Sequence, residues 1–425
     1  MKINFDGLWR HADFRKLWAA QTVSVFGSMI TGTALPFTAI LALNASPFEV
    51  ALLSACNIVP GLLFGPIAGV WVDRLPRRPV MVACDVGRAA ILATIPLAYV
   101  FDALYLEQLY IAALCASALT MFFEVAYRSY LPSLVAREEL LEGNSKLTAS
   151  SAVAEFGGFS VSGWLVQLVN GPFAVFIDAL TFVASAVFVR SIETPEERPH
   201  VTEKVSLRAD VTEGFAAVIR DPILRAMSGS TLLYSTGFGM FGATYMLFVT
   251  RSLGFHPGVL GVIFGIGGIS SLIGAILAER SAARLGVGIS MIFGLVAMGV
   301  SMLFVTAVQG ATIGGAALLI AQQVTGDGAF TVQEVNAVTL RQSITPDRLL
   351  GRVNAFVHNV DRGFLLAGTL VGGLLGETIG LRSTLTIGSL LTIAAGLLLV
   401  VSPVAGIRRA DVERDPVPAE LPHLP

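Results

Sequence analysis

The sequence predicts an all-α membrane protein in which twelve transmembrane helices form two pseudo-symmetric bundles of six. Three observations lead to this prediction: the hydrophobic residues come in long uncharged blocks, the basic residues fall in alternate loops, and the second half of the chain repeats the first. Hydrophobic residues make up 54% of the 425 residues and charged residues only 14%, whereas a soluble domain has about 25% charged residues. A net charge of −2 also argues against a nucleic-acid partner.

The uncharged blocks set the positions of the predicted spans. A helix needs about 20 apolar residues to cross a bilayer, and these blocks are of that length or longer. In the first half we expect spans near residues 17–43, 49–72, 79–101, 106–130, 146–169 and 171–191. In the second half we expect them near residues 223–250, 257–280, 286–308, 311–338, 353–376 and 383–403. The first block is too long for a cleavable signal sequence, so we expect the first span to be retained.

A polar stretch that includes "ETPEERPHVTEK" separates the two sets of spans. We interpret it as a linker with a short surface helix around residues 207–219. The predicted domains are an N-terminal six-helix bundle over residues 1–192, a cytoplasmic linker over 193–221, a C-terminal six-helix bundle over 222–404 and a cytoplasmic tail over 405–425.

Lysine and arginine residues indicate which ends of the spans face the cytoplasm. Nearly all of them fall in alternate loops, and the predicted loops on the opposite side hold only Arg251 and Arg382. Because basic loops stay cytoplasmic, the sequence predicts a multi-pass protein of the cell inner membrane with both termini in the cytoplasm.

An internal repeat relates the two halves of the chain. The segment "SLVAREELLEGN" at residues 133–144 aligns without a gap with "SITPDRLLGRVN" at residues 343–354, an offset of 210 residues. The same register matches Gly158 with Gly368 and Gly163 with Gly373. Transporters often contain such repeats. The alternative is a chance similarity between two helix starts, which the shared glycines argue against.

The hairpin between spans 2 and 3, "GVWVDRLPRRPV", carries the most specific motif. Gly69 is followed by Asp73 and Arg74, and then by the basic pair Arg77 and Arg78. With the repeat and the segments "DVGRA", "LPSLV", "DALTF" and "LLGRVNA", this pattern resembles the major facilitator superfamily, and within it the branch that contains macrolide-type drug exporters and siderophore exporters. The resemblance implies a secondary transporter with the major facilitator fold, which works by alternating access and is not an enzyme.

Two positions depart from the family's pattern. Pro76 stands where the hairpin usually has a glycine, and Phe159 in "GFSVSG" stands where exporters commonly have a proline in span 5. The missing proline removes a kink attributed to exporters, which bears on the direction of transport and leaves the fold unaffected.

Asp73 is predicted to be a gate latch. An acid at the carboxyl end of a helix is locally unfavourable unless cations compensate it, and the neighbouring arginines of the hairpin can do so. The resemblance implies a clamp between the halves that holds the outward-facing state. The alternative is a solvated ion pair that only fixes the topology and contributes about 0–1 kcal/mol.

Ionisable residues inside predicted spans are costly and are therefore candidates for function. Asp85 and Arg88 are three residues apart on span 3, and Glu124 and Arg128 are four apart on span 4. The two residues of each pair lie on one face of their helix and should form an ion pair. For both pairs we favour a structural or gating role over proton coupling.

The acids inside the predicted spans are candidates for proton coupling, and three of them, Glu155, Asp327 and Asp178, have no nearby base in the sequence. Such a carboxyl group in a low-dielectric site favours its protonated form, and uptake of a proton from outside can then drive export. Asp361 is adjacent to Arg362 on span 11 but points in a different direction. The alternative is an acid that only forms a hydrogen bond with a neighbouring helix, and we favour this alternative for Asp178. The candidates, in order, are Glu155, Asp327, Asp361, Glu124 and Asp178.

The resemblance implies a substrate cavity between the halves at the midplane, lined by spans 1, 4, 7 and 10. A wall of aromatic, methionine and polar side chains suits a bulky amphipathic guest. For each residue the alternative is packing against lipid or a neighbouring helix. The candidates are Gln21, Phe26, Met29, Thr33, Phe122, Phe123, Tyr234, Phe238, Tyr245, Gln322 and Gln323.

The sequence contains no P-loop, no His-Glu-x-x-His motif and no paired-cysteine motif. We therefore expect no cofactor, no bound metal and an ion gradient as the energy source. The predicted function is proton-coupled efflux of an amphipathic small molecule of the drug or siderophore class. The expected partners are this substrate, protons and membrane lipid, and the expected state is a monomer. The alternatives are an uptake facilitator or lipid translocator of the same fold, or a non-transporting membrane sensor or scaffold.

Overall fold

The computed structural model describes residues 7–72, 74–196 and 207–408 of the chain. These residues form thirteen α-helices and no β-strand. In the first half the helices are α1 (Ala12–Phe37), α2 (Pro47–Val72), α3 (Arg77–Val100), α4 (Leu106–Leu134), α5 (Leu140–Val169) and α6 (Gly171–Arg190). In the second half they are α7 (Leu207–Arg220), α8 (Pro222–Leu247), α9 (Pro257–Leu285), α10 (Val287–Ala307), α11 (Ile313–Ile344), α12 (Asp347–Thr378) and α13 (Leu381–Val400).

The helix boundaries confirm the internal repeat. Four pairs of helices begin at positions that differ by 210 residues. They are α1 and α8 (12 and 222), α2 and α9 (47 and 257), α3 and α10 (77 and 287), and α6 and α13 (171 and 381). Left-handed backbone recurs at the same offset: φ is 54° at Asn44 and 77° at Gly254, and 66° at Asn170 and 91° at Gly380. Asparagine and glycine are the residues that tolerate this conformation best, so the repeat extends to the turns that join the helices.

Ten of the helices in the described part of the chain are long and apolar enough to cross a membrane. The two long helices outside this group are α11 and α12. The first carries Gln322, Gln323 and Asp327, and the second carries Asp361 and Arg362. By this criterion the predicted count of twelve spans is not exact, although all twelve long helices are present. The predicted boundaries were short by six residues at three places: α5 begins at 140 rather than 146, α11 ends at 344 rather than 338, and α12 begins at 347 rather than 353. Each extension is a polar stretch that the search for apolar blocks left out.

The helices form two compact units. Unit 1 takes in the described residues of Met1–Lys204 together with Phe255–Gly265, and unit 2 takes in those of Val205–Gly254 and Ile266–Pro425. Unit 1 has a core of buried side chains from α1, α3 and α4, such as Phe14, Met81 and Tyr130. Unit 2 has a corresponding core from α8, α10 and α13, which includes Met227, Met291 and Leu399.

The short helix predicted in the linker is present as α7, and it packs against the start of α12 in unit 2. The rings of Phe215 and Phe356 meet edge to face with their centroids 5.6 Å apart. Val218 is buried in the same contact, and Glu213 forms an ion pair with Arg352. The second end of the linker is therefore fixed to unit 2.

Close helix packing in unit 2 depends on glycines that lie on one face of α12. Gly368 packs directly against the backbone of Thr236 in α8, and Gly372 packs against the backbone of Met240, one turn further along. A side chain at either position would meet backbone atoms, which cannot move aside without shifting a helix.

We expect Gly368→Ala to destabilise unit 2 by about 1–3 kcal/mol, because the added methyl group overpacks the contact between α8 and α12. Thermal unfolding of the purified protein measures this change. The matched control is Gly363→Ala on the same helix, where the added methyl group meets open space and alanine favours the helix. Equal melting temperatures for the two variants would contradict the packing account.

Candidate functional site

The signature hairpin lies between α2 and α3. Asp73 is outside the described residues, and for Gly69 the structure describes only that its backbone is helical. The gate-latch hypothesis for Asp73 therefore stays a prediction. Arg74 is exposed in the turn, where its backbone N–H donates to the carbonyl oxygen of Trp71 at 3.1 Å.

The basic pair of the hairpin binds the start of the linker. The backbone N–H groups of Arg77 and Arg78 donate to the carboxylate of Glu196 at 2.6 and 3.2 Å. The Arg77 guanidinium lies 3.7 Å from the same carboxylate, and the Arg78 guanidinium donates to the carbonyl oxygen of Arg190 at the end of α6. An acid is favourable here because the first N–H groups of α3 leave its end partly positive. Sequence reasoning missed Glu196, since its partner is 119 residues away.

A second contact holds the same linker segment against α1. The buried carboxylate of Asp13 accepts hydrogen bonds from the ammonium of Lys16 at 2.8 Å and from the hydroxyl and N–H of Thr194 at 2.6 and 2.8 Å. The Lys16 ammonium also donates to the carbonyl oxygen of Ser191 at 2.6 Å. The first end of the linker is thus fixed to unit 1 at two places, as its second end is fixed to unit 2.

Asp85 and Arg88 form an ion pair inside unit 1. Their side chains are 0% and 1% exposed. The guanidinium of Arg88 also donates to the hydroxyl of Thr120 at 3.2 Å and lies over the rings of Phe123 and Phe182, 4.5 and 4.0 Å from their centroids. Paired, hydrogen-bonded and covered by two rings, the charges are held in the core, which favours the structural role over coupling.

Asp178 is fully buried in the same unit. Thr181 donates a hydrogen bond to its carboxylate at 2.8 Å, and the carboxylate lies against Gly27 of α1. This environment fits the alternative of an acid that hydrogen-bonds within the bundle.

Glu124 and Glu155 are brought together, whereas Glu124 and Arg128 are not. In the part of unit 1 that the structure describes, no ion pair joins Glu124 to Arg128, so that expectation is corrected. The charge of Glu124 acts instead on Glu155 of α5, and both side chains are exposed. A like charge disfavours the ionised form of a carboxyl group.

The corresponding helices of unit 2 also carry two acids whose charges interact. Glu334 on α11 stands 210 residues after Glu124, and it lies close enough to Asp361 of α12 for their charges to interact. The hydroxyl of Ser235 donates to the Asp361 carboxylate at 2.6 Å. Arg362 is exposed, and it forms no ion pair with a described residue. Each unit therefore places one acid pair on the two helices α4 and α5, or α11 and α12.

Asp327 lies two turns before Glu334 on α11. Its carboxylate accepts a hydrogen bond from the side-chain amide of Gln323 at 3.3 Å and lies against Gly267 of α9. No described residue forms an ion pair with it. Asp327 therefore remains an acid without a basic partner, as its sequence context predicts.

Three aromatic rings stack beside the acids of unit 2. Tyr234 lies between Phe238 and Phe330, with centroids 5.6 and 5.2 Å apart and both interplanar angles 22°. The negative charges of Asp361, Glu334 and Asp327 act on the Tyr234 hydroxyl. The ring of Phe238 is partly accessible, with 38% of the residue exposed. Sequence reasoning named Tyr234 and Phe238 but missed Phe330, because a phenylalanine in an apolar span is usually a packing residue.

The other predicted cavity residues fall into two groups. Thr33, Phe123, Tyr245 and Gln322 are between 2% and 8% exposed, so they are buried in this structure and their role in lining a cavity stays a prediction. The physical reason is packing: Phe123 covers Arg88, and the Thr33 hydroxyl donates to its own helix at Met29.

The second group is partly accessible. Phe26 and Met29 pack against the glycines Gly157 and Gly158 of α5. Phe122 has its ring centroid 6.3 Å from that of Trp71. Half-buried polar side chains complete the group, namely Gln21 and Gln323. Among the described residues there is no group of three or more His, Cys, Asp or Glu side chains that could hold a metal ion.

A family model described as the Major Facilitator Superfamily matches residues 17–360 of the chain. The chain belongs to the major facilitator superfamily. It is a multi-pass membrane transporter and not an enzyme. It is 25% identical over 402 residues to an uncharacterized MFS-type transporter, YfiS of Bacillus subtilis. The aligned residues make up 91% of this chain and 92% of YfiS.

Two further relatives of this chain are described as efflux proteins. The multidrug efflux pump Tap of Mycolicibacterium fortuitum is 25% identical over 415 residues, 94% of this chain and 97% of Tap. Macrolide efflux protein A of Streptococcus pyogenes is 25% identical over 183 residues, 43% of this chain and 45% of that protein.

Solved structures of other major facilitator proteins show the same fold. A bacterial homologue of the iron transporter ferroportin, in an inward-facing state, matches with a TM-score of 0.76 at 18% identity over 94% of this chain and 100% of that chain. The nucleoside transporter NupG matches with a TM-score of 0.71 at 15% identity over 91% of this chain and 97% of that chain.

We expect Arg88→Met to destabilise unit 1 by about 3–5 kcal/mol, because it leaves the buried Asp85 carboxylate without its cation. The double variant Asp85→Leu/Arg88→Met should recover most of that loss, since no lone charge remains. Denaturant unfolding of the purified protein measures both. If the double variant is as unstable as the single one, the ion pair is not the source of the loss.

Proposed function

We propose that this major facilitator transporter exports an amphipathic small molecule of the drug or siderophore class in exchange for protons, by alternating access. It acts as a monomer in the lipid of the cell inner membrane, with both termini in the cytoplasm. The drug class is supported by the relatives Tap and macrolide efflux protein A, which are named as efflux proteins.

The observation that carries the proposal is that each unit carries an acid on both of its equivalent helices, α4 and α5 in unit 1 and α11 and α12 in unit 2. Glu124 and Glu155 interact in unit 1, and Glu334 and Asp361 interact in unit 2. None of the four forms an ion pair with a described residue. An acid pair of this kind holds a proton readily, and a scaffold protein would gain nothing from keeping such costly groups in its spans.

The chemistry of the cargo is inferred from the surroundings of the second pair. Tyr234, Phe238 and Phe330 present a stacked aromatic surface next to Asp361 and Glu334. Aromatic faces bind apolar rings, and polar groups at their edge fix the orientation of a guest. An amphipathic molecule matches both features.

The proposal predicts that export requires a pH gradient and the acids. A susceptibility panel on a deletion strain first identifies the cargo, and its transport is then measured in proteoliposomes with an imposed pH difference. Glu155→Gln, Asp327→Asn and Asp361→Asn should each lower gradient-driven transport severalfold, whereas the control Glu138→Gln, in the turn before α5, should not.

Other outcomes favour other functions. Two results together would contradict proton coupling and favour an uptake facilitator or lipid translocator. The first is a transport rate that does not change with the imposed pH difference, and the second is an unchanged rate when all three acids are replaced by their amides. No transport of any compound by folded protein would favour a membrane sensor or scaffold.

The gate-latch proposal for Asp73 makes a separate prediction. Asp73→Asn should reduce transport severalfold at normal surface abundance, because the neutral side chain no longer attracts a cation when the gate closes. A matched amide substitution, Asp102→Asn in the turn between α3 and α4, should have no such effect. Undiminished transport by Asp73→Asn would leave the hairpin with a role in topology only.

A further inference from the structure

Unit 2 contains a cavity that the proposed function does not explain. It lies between α8, α10, α11, α12 and α13, and its volume is about 30 Å³. Its lining runs from Leu224, in the first turn of α8, to Tyr234 in the middle of that helix. On α11 it reaches Arg341 in the last turn. One end of the cavity is therefore level with the aromatic stack, and the other is at the end of unit 2 where the linker enters.

Two polar stripes face each other across this cavity. Ser228, Thr231 and Tyr234 are spaced by three residues along α8, and Gln333 and Arg341 are eight residues, or about two turns, apart on α11. Residues at these spacings share one face of a helix. The other residues that line the cavity are largely apolar, so these polar groups lie in a mostly apolar core.

Ser228 provides the second observation. Its side chain is 9% exposed, and its hydroxyl oxygen has no hydrogen-bond partner. A buried polar group without a partner in the protein is uncommon, and a bound water is one way to satisfy it. A buried water needs about 10–15 Å³ and two to four polar partners, so the cavity has the volume for two waters and the hydroxyl, amide and guanidinium groups to hold them.

One residue that lines the cavity is near an acid of the proposed transport site, because the charge of Asp361 acts on Tyr234. The next residue on α8, Ser235, donates its hydroxyl to the Asp361 carboxylate at 2.6 Å. We propose that the cavity binds two ordered waters and that these waters, with the hydroxyls of α8, carry protons between Asp361 and the linker end of unit 2. The water site stands on its own, whereas the proton path rests on the proposed function.

The charges around the path are compatible with this role. α11 contributes Glu334 and Arg341, whose charges interact, so the acid offsets the cation at the linker end. α12 contributes His358 and Arg362 beside Asp361. The lining residues of α10 and α13 are Met291, Leu295 and Leu399, none of which titrates. No covalent bond changes: a proton leaves the Asp361 carboxyl group and is passed through hydroxyl groups and water.

Hydroxyl-radical footprinting of the purified full chain tests the water site without any cargo. Because irradiation forms the radicals from water, a buried methionine is oxidised quickly only where water lies beside it. Met291 and Met302 are both on α10 and both 1% exposed, but only Met291 lines the cavity. Met291 should be oxidised several times faster than Met302, and Ser228→Val should remove the difference. Equal slow oxidation of both methionines in the unsubstituted protein would overturn the water site.

Transport measurements on the same variants test the proton path. Ser228→Val and the smaller change Ser228→Ala should slow proton-driven transport severalfold while leaving exchange of labelled for unlabelled cargo unchanged, because exchange moves no net proton. Thr339→Val is the control, since Thr339 is exposed on α11 and outside the cavity. Unchanged proton-driven transport, or an equal loss of exchange, would overturn the path. Failure of the unsubstituted protein to respond to a pH gradient would contradict the proposed function, and footprinting would still decide the water site.

Discussion

A carboxylate inside a membrane-embedded helical bundle needs a cation, a set of hydrogen bonds or a proton, because an unpaired ion is costly in a low-dielectric surrounding. The first two are present in unit 1. Asp85 has the cation of Arg88, and Asp178 has a hydrogen bond from Thr181 in a fully buried position. The acids on α4, α5, α11 and α12 form no ion pair with a described residue, and in the proposed function a proton neutralises them.

The internal repeat makes this distribution informative. At the offset of 210 residues, Glu124 corresponds to Glu334, whereas Asp85 and Arg88 correspond to Leu295 and Met298. The buried ion pair therefore belongs to one unit only. Of the acids, only the one on α4 and α11 is repeated at this offset, since Glu155 corresponds to Leu365. Both units nevertheless carry an acid on each of the two equivalent helices, which fits a role that both halves share, as the proposed proton exchange would be.

Much of the fold could be predicted from the sequence, because apolar blocks and the repeat are local or periodic signals. Those signals failed where polar turns extend a helix, as at the starts of α5 and α12. The site was harder to predict. Spacing on one helix identified Asp85 with Arg88 but wrongly paired Glu124 with Arg128, since the actual neighbour of Glu124 is on another helix. Glu196 and Ser228 were missed for the same reason: their significance comes from contacts or a cavity formed by distant segments.

The most direct measurement of the central claim is proton exchange by the purified protein in lightly buffered solution when the identified cargo is added. If the acid pairs hold protons that the cargo displaces, cargo binding releases protons, and the release diminishes when Glu155 and Asp361 are replaced by their amides. Cargo binding with no proton release or uptake at any pH between 5 and 8, the range in which perturbed carboxyl groups titrate, would show that these acids do not couple transport to protons.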